Sequence, residues 1–254
     1  MMHPTLSNKV KIRALLKAIE TGDPDAIAVV NQAKYIQHNP QTHEGSEGLE
    51  ALFARLAKTN PRVNVVRAFE DGDFVFGHTE YDFSTRRIGF EVFRFEDGQA
   101  VEHWDNIQPR LGPNASGHSM VDGPVEAEDM DRTEENRARV RNFVEQVLIG
   151  REHRSLEDCI ASDLIEHNPH LVDGVASVRS ALRAEGEASV HYVRLHRVLA
   201  EGSFVLAVSE GEKGGHHAAL YDMFRLSEGL IVEHWDTVEK VAPRAEWKND
   251  NGKF

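Results

Sequence analysis

Residues 91–107 read EVFRFEDGQAVEHWDNI, and residues 222–238 read DMFRLSEGLIVEHWDTV. The two stretches align without gaps at an offset of 131, with eight of seventeen positions identical. Unrelated sequence would give about one match on ordinary residue frequencies. Working upstream, Arg67–Val75 recurs as Arg197–Val205 at an offset of 130, and Ile36-Gln37-His38-Asn39-Pro40 recurs as Ile165-Glu166-His167-Asn168-Pro169 at 129. The order is kept while the offset drifts one residue at a time, as in a duplication with small loop changes.

Each copy reads as helices first and strands later. Ile12, Leu15, Leu16 and Ile19 mark one helical face, a short helix follows Asp23-Pro24, and a third is expected from Ser46 as N-cap, with Leu49, Leu52, Phe53 and Leu56 as its stripe. In the second copy Val140, Phe143, Val144, Val147 and Leu148 form the first stripe. From Arg62 and Val190 onward the pattern is strand-like, with turns at Asp71-Gly72 and Glu201-Gly202. Helices followed by strands predict an α+β fold, here as two tandem domains, 1–112 and 132–254. Residues 113–131 are rich in breakers, lack periodicity and read as a linker.

The last hairpin carries the chemistry. A three-residue loop with Gly98 or Gly229 in its third place would set Glu91 opposite His103 and Asp222 opposite His234. One face of each hairpin then holds a carboxylate, an imidazole and a second carboxylate: Glu91, His103 and Asp105, and Asp222, His234 and Asp236. The same face holds Phe93 and Phe224, which would line a small-molecule pocket. A carboxylate partly removed from water rises in pKa and becomes a general acid or base, and the histidine could shuttle its proton. The same pairs could instead satisfy one another inside a core. His38 and His167, before Asn-Pro, read either as groups at the pocket mouth that bind a substrate oxygen or as turn residues. Trp104 and Trp235 fall on the opposite face and are expected to pack against another lobe or subunit.

Other classes of function are disfavoured. The 254 residues carry a formal charge of −13, which argues against nucleic acid and anionic membranes as partners. No apolar run of membrane-spanning length occurs, and Met1-Met2-His3-Pro4 lacks the start of a secretory leader. The single Cys159 excludes an internal disulfide and shows no cue of activation, so a reducing, cytoplasmic setting is expected. Fourteen histidines make no recognised zinc spacing, and neither a P-loop, a GxGxxG fingerprint nor a GxSxG elbow is present, so no metal and no cofactor are expected.

His38-Asn39-Pro40 with Phe93–Asp105, and His167-Asn168-Pro169 with Phe224–Asp236, resemble the SnoaL-like polyketide cyclase family of the NTF2-like superfamily. The resemblance implies two tandem cones, each a curved, mostly antiparallel sheet wrapped around N-terminal helices. It implies cofactor-independent acid–base chemistry on a small apolar carbonyl compound, either aldol ring closure or isomerisation. It also places Asp222 where related isomerases carry an oxyanion-hole aspartate, with Glu91 as a one-methylene-longer counterpart. Cones of this family pair through their sheets, so an intrachain pseudo-dimer or a homo-oligomer is implied. The alternative is a non-catalytic protein that binds a small molecule in the same hollow.

Overall fold

Both copies of the repeat fold into a five-stranded sheet with one parallel strand at its edge. The computed structural model describes residues 6–254, so Met1–Pro4, read above against a leader, lie outside the described residues. In the first copy, helix α1 (Asn8–Thr21) buries Ile12, Leu15, Leu16 and Ile19, the face its spacing predicts. Asp23 accepts a hydrogen bond from the backbone N–H of Asp25 and starts a short 3₁₀ turn, Pro24–Val29. Helix α2 (Gly45–Leu56) starts earlier than Ser46 as N-cap allows, with Glu44 in that place. Strands β1 (Ile36–Gln37), β2 (Arg62–Asp71), β3 (Phe74–Asp82), β4 (Arg86–Glu96) and β5 (Gln99–Pro109) order as β1-β5-β4-β3-β2.

The second copy repeats this plan. Helix α3 (Thr133–Asn142) continues into a wider turn, Phe143–Ile149, of the rare π type. The backbone N–H of Gly150 there reaches five residues back to the carbonyl of Glu145. Short helices α4 (Leu156–Cys159) and α5 (Val175–Ala181) flank β6 (Ile160–Glu166). The long strands β7 (Val190–Glu201), β8 (Phe204–Lys213), β9 (His216–Ser227) and β10 (Leu230–Lys240) complete the order β6-β10-β9-β8-β7. The core gathers Val140, Phe143, Val144, Val147 and Leu148 from the helical side with Val198, Val205, Phe224 and Leu226 from the sheet. Each such side chain contributes roughly 1.5–3 kcal/mol on burial.

The compact units differ from the division read in the sequence. The first runs to Asp105 and takes in Ala242–Lys253, and the second is Asn106–Val241 with Phe254. Residues 113–123, read as a linker, are anchored within the second unit. Asn114 donates to the carbonyl of Glu166 at 2.6 Å, and Trp235 donates from Nε1 to the carbonyl of Asp122 at 3.0 Å. The polar breakers that suggested a free chain are partners of backbone groups at the sheet edge.

The hairpin register also differs. The turn has two residues, Glu228 (φ 49°) and Gly229 (φ 85°), both left-handed as in a type I′ turn. His234 therefore pairs with Phe224 and Asp236 with Asp222, instead of His234 with Asp222. A two-residue turn alone would send His234 to the wrong face. The register shift between Ile231 and Glu233 absorbs Val232 as a bulge and restores the parity. In the first unit, Asp97 (φ 49°) and Gly98 (φ 78°) make the same turn.

Candidate active site

The parallel edge strand brings a polar residue beside each histidine. In the second unit Glu166 is in register with His234, and in the first Gln37 is in register with His103. Strand alternation sends His167 and His38 to the other face and sends Glu166 with Asn168, and Gln37 with Asn39, toward the site.

His234 sits between two acids. Its Nδ1 donates to both carboxylate oxygens of Glu166 at 3.0 Å, and its Nε2 donates to Asp222 at 3.1 Å. Burial alone would lower its pKa, but Glu166 and Asp222 outweigh that and hold it well above the ordinary histidine value. The two flanking carboxylates thus favour the imidazolium form of His234. The Tyr192 hydroxyl donates to Asp222 at 3.0 Å, and burial, then Asp222 and Asp236, push that phenol well above its usual range.

Asp236 is the acid that differs. Loss of water contact, reinforced by Glu166 and Asp222 and opposed by His234 and Asn168, raises its pKa to about 7. The Asn168 amide donates to its Oδ2 at 2.7 Å, while its Oδ1 is covered and has no hydrogen-bond partner. Asp236, Asp222, His234, Glu166 and Tyr192 line a cavity of about 700 Å³ whose other walls include Phe143, Leu148, Leu164, Val178, Phe224 and Ile231. Phe224 stacks on His234 at 5.0 Å.

The first unit assembles the same groups in a more buried form. His103 meets Glu91 at 2.7 Å and Gln37 at 2.9 Å, and Tyr81 donates to Glu91 at 2.5 Å. Asn39 donates to Asp105 Oδ2 at 2.6 Å. Phe93 stacks on His103 at 4.4 Å. Glu91, His103 and Asp105 are all buried, and one ligand atom from each lies within 4.8 Å of the others, close enough to share a metal ion. The ammonium of Lys253, itself buried, lies 3.4 Å from Asp105 Oδ1 and already supplies a cation there.

The remaining sequence candidates are placed elsewhere. His38 and His167 do not reach these groups. His38 bonds Glu102 at 2.9 Å and the carbonyl of Gly252 at 3.0 Å, and lies flat on Trp104 with ring centres 4.6 Å apart. His167 bonds Glu233 at 2.8 Å and the carbonyl of Ser119 at 2.7 Å, and stacks on Trp235 at 4.6 Å. Their ring nitrogens are thereby taken, which leaves none for a substrate oxygen. Burial works against ionisation of Glu233, but His167 and Arg225 more than offset it and lower its pKa. Trp104 and Trp235, expected at an interface, are 3% and 1% exposed within the chain, under these histidines.

Glu166 and Asn168, with their counterparts Gln37 and Asn39, and the tyrosines Tyr192 and Tyr81, which come from different strands of the plan (β7 and β3), belong to these clusters and were not singled out by the sequence pattern. The repeated I-x-H-N-P stretch contains two of each set. Its histidine is the conspicuous residue, yet strand alternation about that histidine points to the flanking pair.

Residues 12–103 match the SnoaL-like domain family. No curated protein sequence matches the chain. Among solved structures the chain is similar to TsrD from Streptomyces laurentii, with 22% identity over 39% of this chain and 86% of that one, TM-score 0.35. It is similar to a candidate ketosteroid isomerase from Kribbella flavida, with 19% identity over 44% and 83%, TM-score 0.39. It is also similar to IdmH, a candidate polyketide cyclase from Streptomyces antibioticus, with 17% identity over 41% and 93%, TM-score 0.37.

Proposed function

We propose, from the premise that residues 12–103 form a SnoaL-like domain whose order of elements the second unit repeats, that the second unit is a cofactor-independent acid–base site for a small apolar carbonyl compound. The observation that carries this reading is Asp236: an acid with its pKa raised to about 7 in the wall of a largely apolar cavity. A group poised there can give a proton at neutral pH and take it back.

Asp222, opposite Asp236 across β9 and β10, is the base. Asp222 takes a proton from the carbon beside the carbonyl, while Asp236 gives its proton to the carbonyl oxygen. The products are an enol, a neutral Asp222 and an ionised Asp236, and reversal restores all three. His234⁺ and the Tyr192 hydroxyl are both bonded to Asp222 and hold it as the anion between turnovers, and the charge of His234⁺ also favours the ionised Asp236. Isomerisation follows if the proton returns to a different carbon, and ring closure follows if the enol attacks a second carbonyl. The apolar walls keep water from competing and strengthen these electrostatic terms.

The test needs no knowledge of the natural substrate. 2-Tetralone, an apolar ketone with exchangeable hydrogens beside its carbonyl, is incubated with the full chain in D₂O and followed by proton NMR. Exchange above buffer is expected, and Asp236→Asn is expected to lose roughly 10²-fold or more of it. Exchange no faster than buffer, or unchanged in Asp236→Asn, overturns the reading.

A further inference from the structure

The two units place an aspartate at matched positions and treat its free oxygen differently. Asp105 and Asp236 each accept a side-chain hydrogen bond at Oδ2, from Asn39 and Asn168. Oδ1 of Asp236 has no partner, whereas Oδ1 of Asp105 faces the ammonium of Lys253 at 3.4 Å. Lys253 is 2% exposed, a rare state for a lysine without a purpose-built partner.

Its place is fixed by the segment that carries it. Asn249 donates to the carbonyls of Asn39 and Thr42, and Asn251 donates to the carbonyl of Gln37 and the carboxylate of Glu44. The carbonyl of Gly252 then meets His38, and Lys253 is the next residue. In the second unit the carbonyl that meets His167 belongs to Ser119, and the next residue is the buried Met120. An apolar residue thus follows the matching anchor where the first unit has a cation. The first unit also replaces Glu166 by Gln37, so it has one carboxylate fewer and one ammonium more.

Another sign points to a group held among these side chains. The hydroxyl of Tyr35, a residue 4% exposed, is covered and has no hydrogen-bond partner. Burial, with Glu91 and Asp105 acting in the same direction, raises its pKa well above that of a free phenol, so it lies within electrostatic reach of both carboxylates.

We propose that Lys253 is the resident cation of the Glu91–His103–Asp105 cluster and that it holds the first unit closed by taking the oxygen of Asp105 whose counterpart is free in the second unit. The closure, though not the resident cation, rests on the acid–base reading of the second unit. A buried charge removed from such a pair leaves the other charge uncompensated, so the cluster should then accept another cation.

The experiment uses the full chain and two readouts. Titration with zinc ion alone is followed calorimetrically for the wild type, Lys253→Met, Lys253→Arg and the double variant Glu91→Gln/Lys253→Met. Lys253→Met is expected to gain one zinc site at least tenfold tighter than any in the wild type. Lys253→Arg, which keeps the charge, is expected to match the wild type, and Glu91→Gln/Lys253→Met is expected to lose the gained site. No tighter site in a folded Lys253→Met overturns the resident cation. For closure, 2-tetralone exchange is compared between Asp236→Asn and Asp236→Asn/Lys253→Met, with at least tenfold recovery expected. No recovery, in a wild type that does exchange, overturns the closure. A wild type without exchange sinks the acid–base reading, and closure with it, while the zinc result still decides the cation.

Discussion

Asp236 and Asp222 are the same residue type on one sheet face, and their surroundings separate them. Asp222 has two donors, Tyr192 and His234, whereas Asp236 has one amide and an empty oxygen. The difference has a consequence for stability. An unfolded aspartate titrates near 3.9, and Asp236 in the folded chain titrates at about 7. Between those values the folded state binds the extra proton, so its contribution to stability is greatest below about pH 4, falls up to about pH 7, and is flat above. His234 has the same sign: its contribution is full below about 6.5 and is lost as pH rises through its raised value. Denaturant unfolding at pH 4.5 and 7.5 is expected to show the wild type losing, relative to Asp236→Asn, on the order of 2 kcal/mol or more. Parallel curves for the two proteins would show that Asp236 is ionised throughout. The residue types at this site were legible in the sequence, as two triplets on an apolar face. Their ranking was not, because it depends on Glu166 and Asn168 arriving at the end of a strand 68 residues away, and no local pattern displays that pairing.

At the level of elements, the strands and α1 follow from periodicity alone, because each buries one face. The hairpin register could not be read, since a two-residue turn with a bulge and a three-residue turn without one both leave Asp222, His234 and Asp236 on one face and differ there only in showing Ile231 or Val232. The segment 113–123 shows the opposite failure. Its Pro, Gly and Ser content is that of a free linker, and only partners distant in sequence reveal that it is fixed. Gly123 marks the fit: its φ is 94°, and a Cβ added there would lie only 2.6 Å from Glu233 Oε1 and 2.7 Å from the Trp235 ring. Gly123→Ala therefore combines backbone strain with a clash against buried groups and is expected to cost about 2 kcal/mol or more. Denaturant unfolding, with near-ultraviolet circular dichroism to follow Trp235, checks this. An unchanged midpoint and spectrum would mean that the segment does not cover the ring.

For the whole molecule, a duplicated plan has ended in two unlike interiors. One holds a cavity of about 700 Å³, and the other holds a buried lysine. Among the described residues no helix is long and apolar enough to cross a membrane. The segment Ala242–Lys253 makes the stability of the first unit depend on the far end of the chain. Asn249→Ala with Asn251→Ala removes four hydrogen bonds donated by these amides, each worth about 1 kcal/mol net. Hydrogen exchange should then quicken at β1 and β5 and stay unchanged at β9 and β10. Equal quickening in both units would show one cooperative block. The wide turn Phe143–Ile149 supplies two cavity-wall residues, Phe143 and Leu148, from a stretch with one surplus residue per winding. Removing a single amino acid there would tighten the coil to regular pitch and swing the wall by roughly 100° per residue. Descendants of this chain could thus reshape what the hollow admits through a one-codon deletion that leaves the proton-handling groups in place.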